Sequence, residues 1–254
     1  FVRVKIGADT VMPNKQMGFS KAYHYILGFE QFITKNLKFK TEFYYQSLFH
    51  IPISATTANN FSLINMDDDY TIQALANKGK GKNYGLELTI ERSWNDDFYF
   101  IAAASVYESK YRPSDNFWRN TRYNSNASFT IITGKEWQLK KKNNSQSFAV
   151  DFRMMSTGGV RVTPIDLERS VIQKRTVYNT TLLYDQKLPG FFRMDAQIKW
   201  KIQYSNMTGS LILGVQNLTN RKNPVSHSFS ATTNKITYRY LFGFIPVFGY
   251  KIDL

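Results

Sequence analysis

The sequence predicts an all-β fold, an antiparallel up-and-down transmembrane β-barrel segment. Three observations carry this: apolar and polar residues alternate with period two, short and long connections take turns, and tryptophans recur at one end of strands on the apolar side. Alternation marks strands whose two faces meet different solvents, because successive side chains point to opposite sides of a sheet.

Taken in order, a weak alternation over residues 22–34 opens the series. Leu37, Phe39, Thr41, Phe43 and Tyr45 then oppose Lys38, Lys40, Glu42 and Tyr44. Tyr84, Leu86, Leu88 and Ile90 oppose Gly85, Glu87 and Thr89, and a weaker run covers 98–112. Between Tyr123 and Leu139, Phe129, Ile131, Trp137 and Leu139 oppose Asn124, Asn126, Ser128, Thr130, Glu136 and Gln138. After a weak run at 147–157, Phe192, Met194, Ala196, Ile198, Trp200 and Ile202 oppose Arg193, Asp195, Gln197, Lys199 and Lys201. Residues 210–220 and a last strand or pair at 235–254 bring the expected total to about nine.

Short connections are expected at Lys35-Asn36, Asn95 to Asp97, Lys140 to Gln146 and Gln203 to Thr208, and long ones at about 50–82, 112–122 and 158–190. Sorting by parity suits a membrane barrel with short turns on one side and long loops on the other. Trp94, Trp137 and Trp200 each fall at a short-turn end on the apolar parity, as an interfacial girdle requires. Arg92 and Lys135 share that parity, two residues away, where long side chains snorkel to head groups.

Composition narrows the alternatives. No window reaches the roughly 18 apolar residues of a membrane-spanning helix. The mean hydropathy of -0.38 still admits a barrel, since only every second strand residue meets lipid. Zero Cys excludes disulfides, thiolate metal sites and a Cys nucleophile. The net charge of +14 is spread through strands, turns and loops, which argues for lumen lining and lipid contact over nucleic-acid binding. The chain opens on FVRVK without Met or a leader pattern and is read as one piece of a longer protein, residues 1–254 forming the C-terminal portion of a single barrel domain. Because every backbone polar group in hydrocarbon must be paired, further strands are expected upstream.

Seven segments resemble the C-terminal barrel half of TonB-dependent outer-membrane receptors, especially those of the Bacteroidetes group: HYILGFEQF (24–32), TEFYYQSLFHIPIS (41–54), NKGKGKNYGLELTIER (77–92), ESKYRPSDNFWRNTRYNSN (108–126), GVRVTPIDLERS (159–170), GVQNLTNRKN (214–223) and GFIPVFGYKIDL (243–254). The resemblance implies a barrel of twenty-two strands holding an N-terminal plug, and a location in the bacterial outer membrane. It also implies active import of a scarce solute (metal chelate, vitamin or glycan) driven by a TonB-type complex through the plug, with the plug and first strands lying outside this chain. The family usually ends in an aromatic residue where this chain has Leu254, though Phe248 and Tyr250 keep the last strand aromatic. A passive porin or an adhesin is the alternative.

The remaining constellations point away from catalysis. NKGKGKNYG lacks the Ser or Thr and the helix of a phosphate loop and is read as a flexible loop entering a strand, with Gly79, Gly81 and Gly85 permitting turns. Asp67, Asp68 and Asp69 lack the spacing of a calcium loop, and His24, His50 and His227 stand far apart. Glu87 and Glu91 fit lumen lining better than acid–base work. No enzyme activity, cofactor or metal is expected. The expected partners are outer-membrane lipids, the solute, the energy-coupling complex and a surface lipoprotein. The candidate solute contacts are loop residues that combine stacking surface with bidentate donors: Tyr70, Trp118, Arg119 and Arg161.

Overall fold

The computed structural model describes residues 3–6, 9–56, 60–66, 71–95, 98–140, 145–204 and 206–253. Nine long strands follow one another: β1 (Lys21–Thr34), β2 (Leu37–Ser54), β3 (Leu75–Asn95), β4 (Phe98–Arg112), β5 (Ala127–Lys140), β6 (Ser145–Thr157), β7 (Phe191–Gln203), β8 (Thr208–Gln216) and β9 (Ile245–Asp253). Each pairs antiparallel with its sequence neighbour, so the order across the sheet is β1 to β9 without a crossover. Among the described residues β1 and β9 do not pair with each other and remain the two edges.

Residues paired across strands share a face, so the register tests the alternation directly. Leu27, Phe43, Leu86, Val106 and Ala127 form one continuous row. Phe39, Ile90, Ala102, Ile131, Met154 and Met194 form another on the same side. The opposite face pairs Glu30 with Lys40, Lys38 with Glu91, and Asp151 with Gln197. Phe129 and Ile198 are 36% and 43% exposed, so the apolar face is not folded into an interior. Buried apolar side chains among the described residues are few: Ile51, Ile53, Tyr111, Ala149, Leu188 and Phe229. All but Ala149 lie at the long-loop ends of strands or in the long loops.

Both rims of the apolar face are aromatic. At the short-turn end Trp137, Phe148, Trp200, Leu211 and Tyr250 make a row across five strands, the Trp137 and Phe148 rings 6.0 Å apart. Lys135 Nζ lies 5.5 Å from the Trp137 ring. Trp94 sits on the same end of β3, its side chain outside the described residues. At the other end Tyr25, Tyr45 and Tyr84 form a row with ring centroids 6.4 Å apart, and Tyr23 meets Phe49 at 5.1 Å. The ten residue steps from Tyr84 to Trp94 span about 33 Å of strand, or about 25 Å along a membrane normal at a tilt near 40°. That is the height of a barrel's apolar band.

Three expectations need correction. NKGKGK is not a loop: β3 starts at Leu75, and Gly81 and Gly79 pair with Leu48 and Ile51 of β2 through an irregular register. The glycines serve close packing rather than turning, since a Cβ on Gly85 would lie 2.6 Å from the Val106 carbonyl oxygen and 2.8 Å from Tyr107 Cβ. Asn124 and Asn126 lie before β5, in a loop that runs to residue 126. The last strand pair divides: Lys235–Tyr240 forms a separate ribbon with Pro224–Ser230, and only β9 joins the sheet. The local hairpin supplies Lys235–Tyr240 with a partner, leaving a fourth long connection, 217–244.

Candidate functional site

The polar face carries a network of ion pairs. Lys38 Nζ lies 3.4 Å from Glu91 and 3.9 Å from Glu30, Lys40 pairs with Glu42 at 2.7 Å, and Lys201 with Glu136 at 3.2 Å. Asp195 accepts from Arg153 at 2.7 Å and from Arg193 at 2.9 Å. Such density of charge is stable only beside water, so this face is the wet one.

The long connections at 55–74, 113–126, 158–190 and 217–244 gather at one end and bind each other. Arg122 N donates to Asn65 Oδ1 at 3.0 Å and Ser114 Oγ to the Thr56 carbonyl at 3.3 Å, joining the first two. Phe229 N donates to Thr176 Oγ1 at 3.0 Å and Lys174 Nζ to Asn234 Oδ1 at 3.1 Å, joining the last two. The buried side chains here are largely polar: Thr121, Asn124, Ser170, Asn217, Asn223 and His227. Asn124, fully buried, accepts from Ser109 N at 3.1 Å and donates to Asn120 Oδ1 at 2.8 Å and Glu108 at 3.2 Å.

The NLTNRKN segment explains itself through three asparagines. Asn217 and Asn220 hold left-handed backbone (φ 53 and 51), which Asn tolerates better than most residues. Asn217 Nδ2 donates to the carbonyls of Arg221 (2.9 Å) and Phe242 (3.2 Å), while Asn220 Oδ1 accepts from Phe244 N at 3.0 Å. Asn223 exchanges two bonds of 2.9 Å with the Phe192 backbone, substituting for a strand neighbour at the start of β7.

A model of the family described as TonB dependent receptor-like, beta-barrel matches residues 20–218. The chain belongs to that family. No curated protein and no solved structure matches the chain. TonB-dependent receptor-like barrels serve outer-membrane transport in Gram-negative bacteria, which makes the apolar face the lipid face and the ion-paired face the lumen wall.

In this TonB-dependent receptor-like barrel the described candidates, Trp118, Arg119 and Arg161, each have different partners. Arg119 forms a two-pronged pair with Asp115 (2.8 and 2.6 Å) inside its own loop. Burial raises the Asp115 carboxyl, but the Arg119 bonds, the Phe117 N–H and the Arg119 charge together outweigh it and hold the group below the usual carboxylate range. Arg161 ties three segments: Nε to the Asn124 carbonyl at 2.9 Å, Nη1 to the Tyr184 and Asp185 carbonyls at 3.3 Å each, and Nη2 to Asn126 Oδ1 at 3.3 Å. Burial lowers its pKa, with Glu108 and Asp185 acting against the shift.

The Trp118 ring has Lys82 Nζ at 4.6 Å and Arg112 Cζ at 5.6 Å from its centroid. Lys82 and Arg112 follow the parity of Leu86 and Val106, so Trp118 lies toward the lipid side. Tyr70 and the Asp67–Asp69 run lie outside the described residues, among which no group of His, Asp and Glu is placed to hold a metal. Sequence reasoning missed Asn124, Asn217 and Asn223, whose signal is backbone conformation and burial rather than periodicity.

Proposed function

We propose that this chain supplies wall, outer loops and part of the solute vestibule of an active importer in the bacterial outer membrane. Its cargo is a scarce solute such as a metal chelate, vitamin or glycan. A TonB-type complex drives transport by moving a plug domain that lies outside this chain. The two open sheet edges are completed by further strands, since unpaired backbone in hydrocarbon costs several kcal/mol per group.

One observation carries the reading: the chain is a member of a receptor-barrel family and has a charged, ion-paired lumen face beneath interlocked long loops. Arg119 and Arg161 serve recognition indirectly, by fixing the loops that a solute meets. Tyr70 is proposed as a direct contact. A surface lipoprotein is proposed to dock on the loop end.

Growth of a deletion strain on single iron, vitamin and glycan sources tests this. One source is expected to fail, and complementation is expected to require an intact energy-coupling complex. Uptake that persists without that complex would identify a passive barrel instead.

A further inference from the structure

The register assembles basic residues that are scattered in the sequence. Upward from the Tyr25–Tyr45–Tyr84 row, the next row on the same face pairs Ser47 with Tyr23 and Lys82, and Lys82 with Lys110. The row above joins Lys21, Phe49, Lys80 and Arg112. All follow the parity of Leu27, Phe43, Leu86 and Val106, the lipid side of the wall. Lys110 is paired with Glu108 at 3.1 Å. Among the described residues Lys21, Lys80, Lys82 and Arg112 have no carboxylate within ion-pair reach.

Four uncompensated cations on the lipid side of an outer rim need an anion. A lumen solute does not reach this side, and water alone leaves no reason for the placement directly above an aromatic band. A cleft of about 460 Å³ opens here, lined by Tyr23, Tyr45, Phe49, Lys80, Lys82 and Trp118. The Trp118 ring contacts both Lys82 and Arg112, which restrains two charges that would otherwise sweep freely.

We propose that this rim of β1 to β4 binds a phosphorylated lipid of the outer leaflet, its phosphate among Lys80, Lys82 and Arg112 and its acyl chains along Leu27, Phe43, Leu86 and Val106. The inference rests on the membrane orientation in the importer reading and is independent of which solute is carried. Trp118 belongs to this site as a positioning residue.

The test uses the full-length protein in phosphatidylethanolamine nanodiscs doped with the phosphorylated outer-leaflet glycolipid, with retained lipid read by native mass spectrometry. Lys80→Ala/Lys82→Ala is expected to lower retention by more than tenfold, at about fivefold per cation near a lipid surface. The lumen pair Lys38→Ala/Lys40→Ala, which removes the same charge, should leave retention unchanged. Trp118→Ala should give a smaller loss that Trp118→Phe restores. Assembly of each variant is checked by heat-modifiable gel mobility. Equal retention in the rim variant, equal loss in the lumen variant, or displacement of the lipid by inorganic phosphate at matched concentration would each overturn the proposal. Solute uptake measured in the same strains separates the two readings: the importer reading stands if uptake is energised, whatever the lipid result.

Discussion

The wall and the loop end of this molecule are held together differently. In the wall, side chains are satisfied by what lies outside the protein, lipid on one face and water on the other. Phe43, Leu86 and Ile198 need no protein partner beyond their strand neighbours. At the loop end, side chains are satisfied by each other: Asn124, Asn217 and Asn223 are buried with their amides bonded to backbone or neighbouring side chains. A face fixed by its solvent tolerates changes that keep polarity, whereas a buried polar network depends on each member.

The largest effect should come from reversing polarity in the wall. Leu86→Arg is expected to cost roughly 2–4 kcal/mol near mid-membrane, and Glu87→Arg far less. Folding yields in lipid bilayers measure both, and equal yields would erase the distinction between faces.

At the loop end, Asn217→Ala removes bonds to two carbonyls and places Ala in left-handed backbone. A local loss of about 1–3 kcal/mol is expected. Limited proteolysis should then cut within 217–244 while the wall keeps its heat-modifiable mobility; loss of the whole barrel would mean that the two regions are not separable.

The smallest effect is titration of the 113–126 loop. Because the Asp115 pKa is lower in the folded protein than in the unfolded chain, its contribution is fully present above the ordinary aspartate range. It is lost as pH falls through the folded value below that range. Cleavage of this loop by an acid-active protease should rise over that window by less than tenfold, about 1 kcal/mol. Asp115→Asn should flatten the dependence, and an unchanged profile would assign it elsewhere.

The same contrast explains what was legible in the sequence. Period two depends only on neighbours and solvent, so the parity of Leu86, Phe129, Ile198, Trp137 and Trp200 could be read directly. Tyr45 and Tyr84 already stood on the apolar parity, but their meeting with Tyr25 in one rim row depends on the register of β1, β2 and β3, which no local pattern encodes. Asn77 to Lys82 looked like a loop because Gly and Lys are poor strand formers alone, yet pairing with β2 overrides that preference. The Asp115–Arg119 pair is visible as a four-residue spacing. The Arg161 bond to Asn124 spans 37 residues and depends on a register no local pattern encodes.

The most direct test is a period-two scan of the wall. Nitroxide labels at residues 86 and 87, 129 and 130, and 198 and 199, in protein reconstituted into bilayers, report collision with oxygen from the lipid and with a water-soluble nickel chelate. Oxygen should dominate at Leu86, Phe129 and Ile198, and the chelate at Glu87, Thr130 and Lys199. Protection of all six from both reagents, or accessibility that fails to alternate, would contradict a wall with one face in lipid and one in water.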